Sequence, residues 1–307
     1  MDLSVVSTLY YSASYLDEFH RRVSASAQAI TGDYEIIFIN DGSPDNSLET
    51  ALRIQVHDPG HVRIIDLSRN FGHHKAIMTG LAHARGDLVF LIDCDLEEMP
   101  ELLEQFCRVY ESDHVDVVFG VQNTRSGSWY RRISGQLFYT IFNTISETKL
   151  PANLVTVRLM SHRYVEALLT CQEHEMIIAG LWAFVGFEQR AIAINKPHKG
   201  SSAYNLKRQL QLLLRSITAF SARPLVFIAV LGTIITILSL LAALYFIAIY
   251  LFLGHPPGGY TSLIVSIWFL GGLTIFCLGV IAVYLSVVFK EVKRRPYTIV
   301  RHVYELE

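Results

Sequence analysis

Between Pro224 and Phe289 the sequence contains no Asp, Glu, Lys or Arg, so all 28 acidic and 26 basic residues lie outside that block. With no charge in it, nothing in the block suggests an ion path across a membrane. Basic excess is also missing: the net charge of −2 gives no reason to expect nucleic acid as a partner. No Gly-x-Gly-x-x-Gly follows the first apolar run, which excludes a dinucleotide-dependent dehydrogenase. Cysteine is scarce, and Cys94, Cys107, Cys171 and Cys277 show no metal-finger or redox spacing, as expected for reduced thiols of a cytosolic domain. The N-terminus, MDLSVVSTLYY, has no basic stretch before an apolar core, so no signal peptide is expected. Internal repeats and low-complexity tracts are absent.

The charge-free block divides into two apolar runs, Leu225–Leu253 and Thr261–Phe289, of 29 residues each. A membrane span needs roughly 20. The runs are joined by Gly254-His255-Pro256-Pro257-Gly258-Gly259, a tight polar turn. Basic residues flank the outer ends: Arg215 and Arg223 before, Lys290, Lys293, Arg294 and Arg295 after. The positive-inside rule then puts both ends in the cytoplasm and the turn outside, a two-span hairpin anchor in the cytoplasmic membrane. Two further segments mix apolar residues with arginine and lysine: Trp129–Ile145, read as a core helix, and Asn205–Ala222, read as a helix lying on the membrane surface.

Upstream, short apolar runs alternate with helical patterns. Leu3–Thr8, Glu35–Asn40, Val62–Leu67, Leu88–Ile92 and Asp116–Gly120 read as strands. Ser14–Ile30, with Leu16, Phe19, Val23, Ala27 and Ile30 on one stripe, reads as a helix. So do Ser47–Val56, with Asp45 as its cap, and Gly72–Arg85, closed by Gly86. Such alternation predicts an α/β domain with a mostly parallel sheet.

The chain is organised around Leu88–Glu101, LVFLIDCDLEEMPE. Its apolar strand stops abruptly at Asp93-Cys94-Asp95, followed by Glu97, Glu98 and Glu101. Open α/β sheets bind ligands beyond the carboxyl ends of their strands. Two convergent carboxylates repel unless a cation or proton lies between them. Oxygen-only ligands favour a hard divalent ion, Mg²⁺ or Mn²⁺, shared with a substrate phosphate. The alternative is a plain acidic strand-to-helix loop whose glutamates favour a helix N-terminus.

The blocks in order resemble the family 2 inverting glycosyltransferases, in the branch that transfers a sugar from a nucleotide to a polyprenyl phosphate. Dolichol-phosphate mannose synthase and the bactoprenol glycosyltransferases belong to that branch. The resemblance rests on YEIIFINDGSP (Tyr34–Pro44), Arg69-Asn70-Phe71-Gly72, Gly80-Leu81, Arg85-Gly86-Asp87, DCDLEEMP (Asp93–Pro100), Arg158-Leu159-Met160 and KEVKRRPYTIVR (Lys290–Arg301). It implies a GT-A type domain over residues 1–204, then an interfacial helix over 205–223, the anchor over 224–289 and a basic cytoplasmic tail over 290–307. It also implies that Thr8, Tyr10, Ile39 and Asp41 line the base and ribose pocket, and that Asp93, Asp95 and Glu97 hold the metal against the diphosphate. Arg125, Lys196 and Lys199 are the cations near the donor phosphates; Arg131, Arg132, Arg158, Lys196 and Lys199 are the candidates for placing the acceptor phosphate, with Arg158 the best matched. The expected partners are a nucleotide-sugar donor, uridine-linked by preference, undecaprenyl phosphate and the bilayer; relatives assemble into homo-oligomers, but the sequence leaves the oligomeric state open.

The sequence also departs from that pattern. Thr8 stands where the family usually has Pro, Glu97 where it has Gln, and Gln122 where it has Arg. Val155-Thr156-Val157 replaces a Gly-Asp-Phe block whose Asp is the favoured base. The loop PHKGSSAY (Pro197–Tyr204) has its lysines out of register. His73 and His74, at a helix start, are read as surface residues. A processive polysaccharide synthase is disfavoured by the lack of a Gln-x-x-Arg-Trp motif. The altered phosphate loop keeps open a membrane scaffold on a decayed transferase fold, or a transferase with another acceptor.

Overall fold

The computed structural model describes residues 1–122, 154–173, 178–194, 223–253 and 259–305. Among these residues, eight strands form one sheet: β1 (Leu3–Leu9), β2 (Tyr34–Asn40), β3 (Val62–Leu67), β4 (Leu88–Leu91), β5 (Val117–Gln122), β6 (Leu154–Ser161), β7 (Gln189–Ile194) and β8 (Val300–Tyr304). Their order is β7-β5-β6-β4-β1-β2-β3-β8. Helices α1 (Leu16–Gln28), α2 (Ser47–His57), α3 (His73–His83), α4 (Leu102–Asp113), α5 (His162–Leu169) and α6 (Ile178–Phe184) connect or follow the strands.

Strand alternation sorts the apolar side chains onto two faces. Val5, Leu9, Ile36, Phe38, Ile64 and Phe90 meet α1, α2 and α4 on one side. Val6, Ile37, Ile39, Ile65, Val89 and Leu91 meet α3, α5 and α6 on the other. Both faces are covered, which is why these strands read as unbroken apolar runs. Leu16, Phe19, Val23 and Ala27 are the buried stripe of α1, but Ile30 falls past its end and is 38% exposed.

The sheet is mixed and mostly parallel, as expected. β1–β2, β1–β4, β2–β3 and β5–β7 are parallel, whereas β4–β6, β5–β6 and β3–β8 are antiparallel. β6 enters between β4 and β5 and runs against both. Gly86 is not a left-handed helix cap: α3 ends at His83 with an extended Ala84 after it. Gly86 is small because a Cβ there would lie 2.5 Å from the Ser4 amide nitrogen. Asp45 caps α2 from one position upstream of the N-cap, accepting a bond from the Ser47 amide at 3.2 Å.

Helices α7 (Arg223–Leu253) and α8 (Tyr260–Val292) are long and apolar enough to cross a membrane. After α8, Arg294 takes a left-handed φ of 46° and the chain turns back to the sheet. The segment expected as a basic tail therefore supplies an edge strand, and the sheet is not closed by residue 204.

The polarity of the strands gathers one edge. β1 to β5 and β7 all end there, and the antiparallel β6 and β8 begin there. The chain from α8 also returns to this edge.

Candidate active site

The carboxyl ends of β1, β2 and β4 bring Thr8, Asp41 and Asp93 to that edge. Asp41 is only 2% exposed. Its Oδ1 accepts from the Phe71 amide at 2.7 Å and its Oδ2 from the Gly72 amide at 3.0 Å, immediately before α3. Burial pushes the Asp41 carboxyl up, against the pull of those two N–H groups. The residue expected to bind ribose or base thus also fixes the Arg69–Gly72 loop to the β2 turn. Gly42, at φ 59°, makes this approach feasible, since a Cβ there would stand 2.5 Å from the Arg69 carbonyl carbon and the Asn70 nitrogen. The neighbouring β1 loop is stitched on as well. Tyr11 N donates to Ser43 Oγ, Ser12 N to Ser47 Oγ and Ala13 N to Asp45. Tyr11 holds a left-handed φ of 56°, and Tyr10 is 49% exposed at the rim.

On β4 the loop after Ile92 is pinned by Cys94. Its buried thiol donates to the Thr8 carbonyl at 3.2 Å and is pushed by burial to about 11, so it acts as an anchor rather than a nucleophile. Asp93 and Asp95 flank it, partly exposed. Asp95 Oδ1 accepts from the Glu97 amide at 2.9 Å, and Leu96 between them has a left-handed φ of 59°. A bulky residue in that region is uncommon and clusters at functional sites.

His73 is exposed, as its reading as a surface residue expects, and it also borders the site. Its Nδ1 shares a hydrogen bond with Thr8 Oγ1 at 3.0 Å, and its Nε2 lies 3.6 Å from Asp93 Oδ1. The imidazole therefore joins the ends of β1 and β4. The signal available in sequence was its place directly after the Arg-Asn-Phe-Gly block, at the N-terminus of α3.

Other expectations need correction. Ile39 is fully buried in the core with Ala76, Ile77 and Leu81 of α3, so its side chain does not line a pocket. Arg158 is 1% exposed, its guanidinium stacked 2.9 Å from the Trp182 ring centroid and its Nε donating to the Thr156 carbonyl. Burial pulls it to about 9, opposed by Tyr164 and by the buried Glu98, so it stays charged at neutral pH. Its guanidinium is held in the interior, within electrostatic reach of Glu98 at the end of the Asp93–Glu98 loop. Arg125, Lys196, Lys199, the Trp129–Ile145 segment and nearly all of the 205–223 helix lie outside the described residues.

Asp93, Asp95 and Glu97 do not form a closed metal cage: among the described residues no three His, Cys, Asp or Glu side chains gather closely enough to hold an ion. An ion held at Asp93 and Asp95 would take most of its ligands from water and a substrate diphosphate, the usual habit of Mg²⁺. The open cleft lined by Tyr110, His114, Asp116, His162 and Arg163 lies at the opposite edge of the sheet.

Residues 4–168 match the sequence profile of Glycosyl transferase family 2. A glycosyltransferase of Mycobacterium tuberculosis (strain CDC 1551 / Oshkosh) is 50% identical over 304 residues, covering 99% of this chain and 89% of that protein. The bactoprenol glucosyl transferase of Shigella phage SfII is 31% identical over 304 residues, covering 98% of each. Among solved structures, mannosyl-3-phosphoglycerate synthase from Rubrobacter xylanophilus superposes with a TM-score of 0.50 at 16% identity, over 71% of this chain and 73% of that one. That likeness is one of fold, the GT-A type.

Proposed function

The chain belongs to glycosyl transferase family 2, and from that we propose that it transfers a sugar from a uridine-linked nucleotide donor to a polyprenyl phosphate at the cytoplasmic face of a membrane, with inversion. The observation that carries this reading is topological. The edge holding Asp41, Asp93 and Asp95 is the edge to which the chain returns from α8, so a donor in the site and a lipid head group meet at one end of the sheet. The match to a bactoprenol glucosyl transferase along 98% of both chains supports the same acceptor class.

The chain's own residues build the donor site. Asp41 holds the Phe71–Gly72 amides and leaves its remaining lone pairs for the donor. Tyr10 offers an aromatic face at the rim. Thr8 and His73 orient Asp93, and the Cys94 anchor sets Asp93 and Asp95 side by side. A magnesium or manganese ion held by these two carboxylates would stabilise the negative charge on the departing nucleoside diphosphate. The acceptor phosphate, with a second pKa near 6, is already an anion at neutral pH. Its oxygen bonds to the anomeric carbon as the bond to the diphosphate breaks, so no proton has to be removed. Placement and cationic neighbours matter more than a general base, which suits a chain with Val155-Thr156-Val157 where relatives carry an Asp. Lys196, Lys199 and Arg125 are assigned to the phosphates, and Arg158 to positioning the Asp93–Glu98 loop.

The test is incubation of membranes containing the chain with undecaprenyl phosphate and a panel of labelled UDP- and GDP-sugars. One donor should label the lipid extract. Absence of lipid label with every donor refutes the acceptor assignment.

A further inference from the structure

The C-terminal strand is held at its two ends by separate polar networks. At the far edge, Glu305 Oε2 accepts from Arg63 Nε at 2.8 Å and from Arg85 Nη2 at 3.0 Å. Arg63 in turn pairs with the buried Glu35 at 2.6 Å. At the active-site edge the residue is Arg301. Its Nη1 lies 3.2 Å from Asp66 Oδ2, and its Nη2 donates to the Ser68 carbonyl at 2.6 Å. The ladder pairs Asp66 with His302 but Leu67 with Val300, so Arg301 is the extra residue of a β-bulge. Bulges re-aim side chains, and this one leaves Arg301 set over Asp66.

Asp66 is 1% exposed, and its other oxygen accepts from Asn40 Nδ2 at 2.7 Å. Asn40 Oδ1 accepts from the Ser43 amide at 3.1 Å, and Ser43 Oγ from the Tyr11 amide at 2.8 Å. An unbroken polar chain thus runs Arg301–Asp66–Asn40–Ser43–Tyr11, from the tail to the loops flanking Asp41. A second arm runs from Arg301 through the Ser68 carbonyl into the Arg69–Gly72 loop, while the Ser68 amide donates to the Ile299 carbonyl at 2.9 Å. Only residues 293–299 separate this strand from the end of α8.

We propose that Arg301 is a positioning residue for the donor site, fixing the Gly42–Ser43 turn through Asp66 and Asn40 and the Arg69–Gly72 loop through Ser68, so that nucleoside-diphosphate binding depends on the strand that descends from the second apolar helix. The inference rests on the donor assignment made above. Without Arg301 the buried Asp66 carboxylate loses its cationic partner, and the structure adjusts where Asp66 is attached, at Asn40.

The test uses the full-length chain in detergent, with Arg301→Met, Arg301→Lys and Glu305→Gln compared with wild type. Three quantities are read: amide hydrogen exchange in residues 41–45 and 68–72, the dissociation constant of UDP, and the melting temperature. Arg301→Met should speed exchange in both loops and weaken UDP about tenfold. Arg301→Lys keeps a charge on Asp66 and should recover most of that affinity. Glu305→Gln should lower the melting temperature while loop exchange and UDP affinity stay at the wild-type level. The proposal is overturned if Arg301→Met leaves loop exchange and UDP affinity unchanged. It is equally overturned if Glu305→Gln weakens UDP as much, which would mean strand docking alone matters. If wild type binds no UDP, the donor assignment fails, and loop exchange in Arg301→Met still decides whether Arg301 positions the loops.

Discussion

Replacing Gly42 by Ala should damage the donor site out of proportion to one methyl group. Gly42 has φ 59°, and a Cβ there meets the Arg69 carbonyl carbon and the Asn70 nitrogen, both at 2.5 Å. Left-handed backbone costs a non-glycine residue about 1–2 kcal/mol. The contacted atoms are backbone, so no rotamer change relieves the overlap, and the loops must part by roughly 1 Å; overpacking of this kind costs about 1–3 kcal/mol. Together these give about 2–5 kcal/mol. The movement falls next to the Phe71 and Gly72 amides that Asp41 holds. Each kcal/mol lowers the melting temperature of a domain of 150–250 residues by about 2–4 °C. Thermal unfolding of the purified chain in detergent, with and without UDP, should show a clear drop and a loss of the UDP-induced shift. Gly60→Ala, where a Cβ meets nothing within 4 Å, is the control and should behave as wild type. A Gly42→Ala chain that melts and binds UDP like wild type would refute the tight loop contact.

Asp95→Asn, and separately excess chelator, should abolish transfer while leaving the fold melting near wild type; full activity under chelation contradicts a metal role for the pair. His73→Ala removes the group between Thr8 and Asp93 and should lower kcat/KM about tenfold, the equivalent of about 1.4 kcal/mol, in a steady-state transfer assay. For Asp45, burial raises the carboxyl but bonds from Ser43, Ser47 and the Ala13 amide outweigh it and hold it below the usual range. A depressed carboxylate contributes stability above its unfolded pKa of about 3.9 and loses it as pH falls through the folded value. Asp45→Ala should therefore cost about 1 kcal/mol at neutral pH, and its melting curve should converge on wild type in acid. A cysteine placed at Gly258 should react with an impermeant thiol reagent in intact cells, whereas one at Arg301 should not; the reverse pattern would invert the proposed topology.

The sequence made the Leu88–Glu101 stretch legible because a strand buried on both faces has to be apolar throughout and its end has to be polar. The same contrast marked Asp41 at the end of β2. What stayed hidden has physical causes. β8 reads Val-Arg-His-Val-Tyr, an edge strand whose Arg301 is satisfied by Asp66 and the Ser68 carbonyl, partners that no alternation pattern reveals. β6 runs antiparallel because it begins at the edge where β5 ends, and no local pattern encodes direction. Ile39 and Arg158 were assigned by motif position, but one faces α3 and the other stacks on Trp182, orientations set by packing across the sheet. His73 acts through residues 65 and 20 positions away, Thr8 and Asp93, a proximity only the fold creates.

The proposed reaction would form one nucleoside diphosphate for every sugar placed on the lipid, because the acceptor oxygen would attack the anomeric carbon and the donor's diphosphate would leave intact. Following both products in one incubation of the full-length chain, undecaprenyl phosphate and the preferred donor by ³¹P NMR tests this directly. Equal amounts of free nucleoside diphosphate and a lipid phosphodiester are expected. Nucleoside monophosphate with a lipid diphosphate, or nucleoside diphosphate with no new lipid signal, would contradict it.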